Sequence, residues 1–534
     1  MARSKKLSTR QQPEPPAPPP PPQTVAAVDM GASAIRAVIA EVAPGGAPRI
    51  LEEVSRGVLL GKDTFTSGRI GAATVEAALR ALEGFRQIME SYGVTRYRAV
   101  ATSAVREAAN RDGFLDRIRL RTGIEIEVID GSEENRLTYQ AVKEKLEGHE
   151  VLASEGALLV EVGGGGADIS FLRNGEPIHS GNYALGSIRM RQSLASWRGG
   201  NDKRIQLLRR HIHNIVEDIQ REMPVSEARD FIALGGDVRF AAAQIGGDAR
   251  PEGSVPAISR DAFIEFVDRI SMQEMDQLIE RYRLPVADAE TLVPALLAYQ
   301  ELLRLTTAGC ILVPDVTLRA GLLLEFAPDR EGHGIEDYGR QVLASAAALG
   351  EKYHYDAAHA RIVAHLATRM FDDLRAEHGL DRRQRLLLEV AAILHDIGNF
   401  ANVRAHHKHS QYLISVSNVF GLSAEDMAVV SNVARYHRRG TPQKSHLPYM
   451  ALDRDTRVAV NKMAALLRIA NALDVDHVQK IKDVKMVAEE DSWVIEVEAA
   501  GELTMERQAA LARADLFTEV FGRKVSFREA GMRP

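Results

Sequence analysis

The chain has 534 residues, 45% of them apolar, and a formal net charge of -6, which predicts several domains with their own cores and argues against a general nucleic-acid coat. No run of about 18 apolar residues occurs, so a membrane-spanning helix is not expected. The single cysteine, Cys310, excludes a disulfide framework and a cysteine-ligated zinc site, and we expect a cytoplasmic protein with neither membrane nor nucleic-acid partners.

The first 23 residues contain eight of the 21 prolines. A segment this rich in proline favours extended polyproline and cannot build a core, so residues 1–23 are predicted to form a disordered tail. Ordered structure is expected from Thr24 onward.

Two short strands joined by a glycine turn open the ordered part. TVAAVDM (24–30) and AIRAVIAEV (34–42) are apolar runs of strand length, and Gly31 allows a tight turn between them, so a hairpin is predicted. Helices and strands then alternate. The expected elements are a helix over Thr74–Tyr92, a strand over Tyr97–Thr102, a helix over Arg111–Arg121, a strand over Ile124–Ile129 and a helix that starts near Ser132.

The hairpin pattern returns about 130 residues later, which indicates an internal duplication. GALLVEV (156–162) and ADISFL (167–172) are predicted strands on either side of the four-glycine turn Gly163–Gly166. A helix around Arg204–Arg221, a strand over 231–236 and further helices to about Phe326 complete this part.

Both predicted hairpins carry the pattern acid-x-Gly at the turn: Asp29-x-Gly31 and Glu161-x-Gly163. Glycine lets the backbone N–H groups approach an anion closely, and a carboxylate at the strand end suits a divalent cation. Two ordinary tight hairpins with capping acids are the alternative. The repetition of the pattern favours a phosphate site.

Five motifs occur in an order that carries a family resemblance. VDMGASAIRAVIAEV, ATSAVREAANRDGFLDRI, VIDGSEENRLTYQAV, VEVGGGGADISF and YALGSIRM together resemble the exopolyphosphatase and guanosine pentaphosphate phosphohydrolase (Ppx/GppA) family over about residues 24–325. The resemblance implies an α/β class protein with the duplicated actin-like (ribonuclease H-like) ATPase fold. It implies subdomain I over 24–130, subdomain II over 131–327 and an active site in the cleft between them.

The resemblance also assigns roles to residues. Glu134 would be the general base that activates water, and Arg106 would clamp the terminal phosphate. Glu161 and Asp168 would hold Mg2+ and a water network, while Glu133 is expected to be a solvated neighbour. The phosphate-binding residues would be Asp29, Gly31, Thr102, Ser103, Gly164, Gly165 and Gly166. The implied reaction is attack of water on a terminal phosphoryl group without a covalent intermediate.

The second hairpin departs from the pattern of that family, which usually has Asp-Ile-Gly-Gly-Gly-Ser-x-Glu. Here Glu161 replaces the aspartate, Gly166 the serine and Asp168 the glutamate, so the two acids are exchanged in length. Asp237 stands where the family has a threonine, and an acid there would repel a polyanion unless it binds metal or points away. These changes favour one alternative, a non-catalytic regulator that binds polyphosphate or an alarmone.

Eleven of the 16 histidines lie between residues 351 and 480, in a segment whose apolar residues recur with the spacing of a helix. His359, the pair His395-Asp396 and Asp474 resemble the signature of HD-type metal phosphohydrolases, which implies a helical HD-type domain over 335–480 and a second divalent metal there. His407, His409 and His437 add to this resemblance. The alternative is a hydrogen-bonded cluster that only packs helices. Residues 481–534 are predicted to form a small strand-containing cap.

Basic residues surround these histidines: Arg404, Lys408, Arg435, Arg438, Arg439 and Lys444. On a chain of negative net charge such a cluster fits a path for a polyanion, and the scarcity of aromatic residues argues against base stacking on single-stranded nucleic acid. The predicted activity is therefore exopolyphosphatase, acting on inorganic polyphosphate with Mg2+. The alternative enzyme is a guanosine pentaphosphate 5′-phosphohydrolase, and a homodimer is compatible with either.

Overall fold

The computed structural model describes residues 22–43, 46–194, 199–246, 255–327, 330–499 and 501–529, without the side chains of 330–336. Nearly all of the predicted proline-rich tail, 1–23, lies outside these residues. Within the described part of the chain, no helix combines the length and the hydropathy needed to cross a membrane.

The first lobe is a five-stranded sheet in the order β3-β2-β1-β4-β5, flanked by helices. Strands β1 and β2 are buried along almost their whole length, because apolar residues fill both faces. The strands are β1 (Gln23–Met30), β2 (Ala34–Val42), β3 (Arg49–Gly57), β4 (Arg96–Ala101) and β5 (Glu127–Val128). The helices are α1 (Leu60–Ser67), α2 (Ala72–Ser91), α3 (Ser103–Arg106), α4 (Arg111–Thr122) and α5 (Gly131–Lys145).

The second lobe is a six-stranded sheet in the order β10-β11-β9-β6-β7-β8. Its strands are β6 (Ala157–Val162), β7 (Ala167–Arg173), β8 (Glu176–Tyr183), β9 (Asp230–Leu234), β10 (Ala257–Ser259) and β11 (Cys310–Leu312). Its helices are α6 (Ser187–Ser193), α7 (Asn201–Glu222), α8 (Gly236–Gly246), α9 (Arg260–Ser271), α10 (Met275–Tyr282), α11 (Val286–Arg304) and α12 (Leu318–Leu324).

The two sheets repeat one topology. In each, an antiparallel meander of three strands is followed by a strand that pairs in parallel with the first strand of the meander: β4 on β1, and β9 on β6. The order β8-β7-β6-β9-β11 thus matches β3-β2-β1-β4-β5 strand for strand. The predicted α/β class and the duplicated actin-like fold are confirmed, since both hairpins and their repeat lie where the sequence places them.

Some element boundaries differ from the prediction. The strand expected over Ile124–Ile129 is reduced to β5. The helix expected from Ser132 begins at Gly131, because the side chain of Asp130 accepts a hydrogen bond from the Glu133 N–H and caps it. Strand β3 was not predicted, because it is an edge strand with mostly exposed or half-exposed residues and no apolar run.

The lobes share packing across the cleft. Helix α12 follows the second lobe in the chain, yet Leu318, Leu322 and Leu323 pack in one cluster with Val25 and Val38 of the first sheet. Helix α5, which carries the acidic motif, contributes Leu137 to the same cluster and Tyr139 to a cluster with Leu159 of the second sheet, so it is held between the two sheets.

The C-terminal region is a helical domain with a small sheet, and both share a single core. Strands β12 and β13 contribute Val484, Trp493 and Ile495 to the apolar cluster of the helices, so the expected separate cap is not independent. The helices are α13 (Arg330–Lys352), α14 (Ala357–Asp373), α15 (Arg375–His378), α16 (Arg382–Leu394), α17 (His406–Ser415), α18 (Ala424–Arg435), α19 (Leu447–Met450) and α20 (Arg454–Ala472). The sheet segment contains β12 (Ile481–Ala488), β13 (Ser492–Ala499), α21 (Thr504–Ala512), α22 (Asp515–Phe521) and β14 (Lys524–Glu529).

Candidate functional site

A cavity of about 690 Å3 is lined by the turns of both predicted hairpins. Most of the predicted cleft residues line it: Asp29, Gly31, Thr102, Ser103, Glu134, Glu161, Gly164, Gly165, Gly166 and Asp168. The duplication explains this convergence, because equivalent strand ends of two similar sheets meet at one place.

The four-glycine turn closes with a hydrogen bond from Gly163 N–H to the Gly166 carbonyl, 2.9 Å long. A Cβ on Gly165 would clash with the Ser103 hydroxyl of the first lobe, so the close approach of the lobes requires glycine here. Gly31 is different, because a Cβ there would meet its neighbours at ordinary contact distances of 3.5 Å or more. The first turn therefore tolerates a side chain sterically.

Glu161 and Asp168 lie directly opposite each other in the β6–β7 hairpin. The Thr138 hydroxyl donates to Glu161 Oε2 at 3.3 Å, and the Asn182 amide donates to Asp168 Oδ1 at 2.8 Å. Burial, with the neighbouring Asp168, raises the pKa of Glu161 to about 7, and burial raises the pKa of Asp168 to about 6. Like charges in a cross-strand pair are destabilising, so the ionised pair needs a cation.

The equivalent pair in the first hairpin is Asp29 opposite Arg36. Asp29 also lies 3.4 Å from the Arg319 guanidinium, and burial raises its pKa although both arginines oppose the shift. The cross-strand partner of the acid is therefore a cation in the first hairpin and a second carboxylate in the other.

Glu134 lies in the first turn of α5 and lines the cavity. Its Oε2 is buried, accepts no hydrogen bond from the described residues and lies 3.7 Å from Arg106 Nη1. Burial, and then the charge of Asp168, raises the pKa of Glu134 well above its ordinary value. A carboxylate with a free oxygen and a raised pKa is suited to accept a proton.

Arg106 does not line the cavity in the described structure. Its Nη1 donates to the Ile129 carbonyl at 2.6 Å and faces Glu134. The predicted phosphate clamp thus contacts the predicted base. Other cations line the cavity and were not singled out in the sequence: Arg36, Lys62, Arg191, Arg239 and Arg319. Of these, Arg36 and Lys62 form no ion pair with a described residue, yet nothing in their local sequence distinguishes them from surface cations.

Glu133 is not the solvated neighbour that was expected. It accepts hydrogen bonds of 2.6 and 2.7 Å from Arg136 and one of 3.1 Å from Arg98. Burial raises the pKa of Glu133, but the contacts with Arg136 and Arg98 hold it below its ordinary value. Side chains of successive helical residues point about 100° apart. Glu133 therefore contacts the arginines Arg98 and Arg136, whereas Glu134 faces the cavity.

Asp237 also lines the cavity, so it does not point away from the site. Burial, and then Asp288, raises its pKa to about 7, while Arg239 opposes the shift. A proton on Asp237 would remove the repulsion that an acid at this position was expected to cause.

The cleft fits a divalent cation. The opposed carboxylates of Glu161 and Asp168, and the Oε2 of Glu134 that accepts no hydrogen bond from the described residues, are hard oxygen donors. In the described residues no three cleft carboxylates bring their oxygens within 4.8 Å of one another. This arrangement suits Mg2+, which usually takes one or two carboxylates and keeps water and phosphate oxygens as its other ligands.

The four residues expected in the helical domain do come together. His359 Nδ1 lies 2.8 Å from Asp474 Oδ2, and His359 Nε2 lies 3.3 Å from His395 Nε2. Asp396 lies 3.6 Å from His395. The prediction of His437 as a neighbour is also met, at 3.3 Å from Asp396.

Two histidines of this cluster, His406 and His477, were not singled out in the sequence. His406 lies 3.1 Å from Asp396, and His477 stacks on His359 with ring centres 3.7 Å apart. His407 and His409 are absent from the groups that could hold a metal. The motif HHKHS could not decide which histidine points inward, because this depends on where α17 begins. Burial lowers the pKa of His395 and His437, although the charge of Asp396 opposes the shift.

Comparison with known proteins agrees with this geometry. Residues 38–330 match the Ppx/GppA phosphatase family, and residues 342–520 match domain III of Ppx/GppA phosphatases. The chain is 24% identical over 308 residues to exopolyphosphatase 1 of Mycobacterium bovis, covering 56% of this chain and 86% of that protein. The corresponding Mycobacterium leprae protein is also 24% identical, with 87% of its length covered.

A solved exopolyphosphatase from Cytophaga hutchinsonii has the same fold. It superposes with a TM-score of 0.52 at 20% identity, covering 57% of this chain and 97% of that one. The first family match spans more than half of the chain and contains the second hairpin, Glu134 and the cross-strand acid pair. The chain accordingly belongs to the Ppx/GppA phosphatase family, as its ordered motifs predict.

Proposed function

We propose that the chain is an exopolyphosphatase, which releases terminal phosphate from inorganic polyphosphate in a Mg2+-dependent reaction in the cytoplasm. The observation that carries the proposal is the buried, raised-pKa carboxylate of Glu134, whose Oε2 accepts no hydrogen bond from the described residues, beside two glycine-turn hairpins and the cations Arg36 and Lys62. Such a cavity combines a proton acceptor with donors for several phosphate oxygens. The names of the mycobacterial relatives support polyphosphate as the substrate.

Each residue has a defined task in this proposal. The backbone N–H groups of the glycine turns, the hydroxyls of Thr102 and Ser103, and Arg36 and Lys62 would bind the phosphate oxygens. Glu134 would take the proton of the attacking water, and Arg106 would hold its carboxylate in place. Glu161 and Asp168 would hold Mg2+, which when bound neutralises phosphate charge.

The test is release of orthophosphate from long-chain polyphosphate and from guanosine pentaphosphate, with Mg2+ and after its removal by a chelator. We expect Mg2+-dependent release from polyphosphate. Preferential release from guanosine pentaphosphate would assign the alternative phosphohydrolase. Tight binding of either compound without release would support the non-catalytic regulator. Light scattering after gel filtration would show whether the protein is a homodimer.

A further inference from the structure

A second pocket, of about 420 Å3, lies in the second lobe beside the cleft. It is formed by the end of α6, the first half of α7, the turn between α9 and α10, and the first half of α11. Its apolar wall is aliphatic and includes Leu194, Ile205, Leu208, Leu278 and Val293. A concave aliphatic wall favours a ligand with an apolar body, because burial of that body against the wall releases water.

Two hydrogen-bond acceptors of this pocket lack an ordinary donor. The Gln273 Oε1 atom is buried and accepts no hydrogen bond from the described residues. Pro294 lies inside α11 and has no N–H, so the Glu290 carbonyl, four residues earlier, has lost the donor that a regular helix would give it. Both residues and Pro294 line the pocket. Because buried acceptors are costly to leave without donors, the pocket favours a ligand that carries N–H groups.

The pocket also holds a cation whose charge is not balanced by a neighbouring acid. Arg204 donates from Nη2 to the Asn201 side-chain oxygen, and the Asn201 amide donates to the carbonyls of Ser271 and Gln273 at 3.2 and 3.4 Å. Asn201 is uncharged, and Arg204 forms no ion pair with a described residue. These bonds hold the guanidinium at the pocket, where it favours a carboxylate of a ligand.

The charges around the pocket decide between kinds of ligand. Five charged residues line it, the cations Arg191 and Arg204 and the acids Glu274, Asp276 and Glu290. A ligand with several negative charges, such as polyphosphate, would be repelled by this excess of acids. A zwitterion finds a partner for each of its groups, since its carboxylate can pair with Arg204 and its ammonium with the two acceptors and the neighbouring acids.

We propose that this pocket binds an aliphatic α-amino acid, such as leucine, isoleucine or valine, and that the bound amino acid regulates the cleft. The carboxylate of the amino acid pairs with Arg204, the ammonium donates to Gln273 Oε1 and to the Glu290 carbonyl, and the aliphatic side chain packs against the wall. Each of the unsatisfied groups of the pocket thereby gains a partner.

One ion pair connects the pocket with the cleft. Arg191 and Glu290 lie 2.5 Å apart, and both line the pocket and the cleft. An ammonium group bound beside Glu290 competes with Arg191 for this carboxylate, which frees the charge of Arg191 for phosphate oxygens in the cleft. The regulatory part of the proposal rests on the proposed function, whereas the binding of the amino acid does not.

The first test measures binding of amino acids by the full chain with isothermal titration calorimetry. L-Leucine, L-isoleucine or L-valine should bind saturably with one site per chain. 4-Methylpentanoate, which is leucine without its ammonium, and 3-methylbutylamine, which lacks the carboxylate, should each bind at least about tenfold more weakly than leucine, because each loses hydrogen bonds to a charged group. No binding of the three amino acids, or equal binding of leucine and 4-methylpentanoate, would overturn the proposal.

Variants locate the site. Arg204→Gln keeps the hydrogen bond to Asn201 but removes the charge, and Gln273→Met removes the acceptor at nearly constant size, so each should weaken leucine binding at least about tenfold. Arg210→Gln, an exposed position on the same helix outside the pocket, should bind leucine as the wild type does. Thermal unfolding of each variant confirms that it is folded. Wild-type affinity in both Arg204→Gln and Gln273→Met would overturn the assignment of the pocket.

The last test measures regulation in Glu134→Gln, which should bind polyphosphate without turnover. Leucine should tighten polyphosphate binding several-fold, and polyphosphate should tighten leucine binding by the same factor, because coupling between two sites is reciprocal. Adding Arg191→Gln should remove the coupling but keep leucine binding. Leucine binding without any change in polyphosphate affinity would overturn the regulatory role. Leucine binding by a wild-type chain that neither binds nor hydrolyses polyphosphate would support the amino-acid site and overturn only the proposed function.

Discussion

The cleft and the histidine cluster differ in the direction of the pKa shift that burial causes. In the cleft, burial raises the pKa values of Glu134, Glu161 and Asp168, and in the helical domain burial lowers those of His395 and His437. Both shifts favour the neutral form, because a low dielectric disfavours charge of either sign. The donors differ, since carboxylates match a hard ion such as Mg2+ and imidazoles match transition metals. The comparison teaches that burial shifts the pKa values of acids and histidines in opposite directions toward the same neutral state.

The sharpest test of the cleft is Glu134→Gln. This change keeps size and hydrogen bonding but removes proton acceptance, so polyphosphate turnover should fall about 10²–10⁴-fold with little change in substrate binding. Steady-state phosphate release and polyphosphate binding measure the two effects. Glu133→Gln is the matched control, because Glu133 is engaged by Arg98 and Arg136, and its turnover should stay within a few-fold of wild type. Full activity in Glu134→Gln would show that another residue is the general base.

Substitutions of the exchanged acids in the second hairpin should have the next largest effect on turnover. If Glu161 and Asp168 compensate each other, Glu161→Asp should lower turnover up to about 10²-fold, since about 1 Å of misplacement can cost that much. Adding Asp168→Glu should restore most of the activity, and the coupling should be clearly non-additive. Kinetics of the four members of the double-mutant cycle would check this. Additive losses would support the non-catalytic alternative.

The raised pKa of Glu161 predicts a pH-dependent effect of Mg2+ on stability. Its pKa rises from 4.5 to about 7, so the folded protein holds a proton that the unfolded chain releases in this window. Without Mg2+, the free energy of unfolding should therefore fall as pH rises from about 4.5 to about 7, contributing on the order of 1–3 kcal/mol.

Mg2+ should restore stability mainly above pH 7, where both carboxylates of the pair are ionised. Thermal unfolding at about pH 6 and about pH 8, with and without Mg2+, measures this dependence. The increase in Tm caused by Mg2+ should be larger at the higher pH. An increase that is larger at the lower pH would contradict the assignment of Glu161 to the cation, and Glu161→Gln should abolish most of the difference.

Charge reversal in the helical domain should have a smaller effect. Arg438 and Arg439 are exposed beside the histidine cluster, where they fit a path for the polymer. Arg438→Glu with Arg439→Glu should raise the KM for long polyphosphate several-fold, affect short chains less and reduce the salt dependence, because fewer cations contact the polymer. Charge reversal at Arg361, elsewhere on the domain, is the control. An equal effect on short and long chains would exclude the path.

The smallest change in polyphosphate hydrolysis is expected from His395→Ala with Asp396→Ala. Steady-state phosphate release from polyphosphate should fall far less than in Glu134→Gln, because neither residue lines the cleft. If the double variant instead abolishes polyphosphate hydrolysis while Glu134→Gln remains active, the chemistry resides in the helical domain and the cleft is the binding module.

Local patterns in the sequence determined much of this protein. Apolar runs around glycine turns predicted both hairpins, and their repetition predicted the duplicated fold. The acid-x-Gly pattern places Asp29 and Glu161 at the cleft, whereas the resemblance to the Ppx/GppA family assigns Glu134 and Asp168 to it.

Only the tertiary structure decided which of several adjacent side chains faces a site and which contacts other residues. Glu133 and Glu134 are adjacent in the chain, yet one is bound by Arg98 and Arg136 and the other faces the cavity, because the capping residue Asp130 sets the rotation of α5. His406 rather than His407 or His409 reaches Asp396 because α17 begins at His406, which sets the direction of each of these side chains. Arg319 reaches Asp29 across 290 positions of sequence. Local periodicity carries no information about such long-range approaches, since they depend on how whole elements pack.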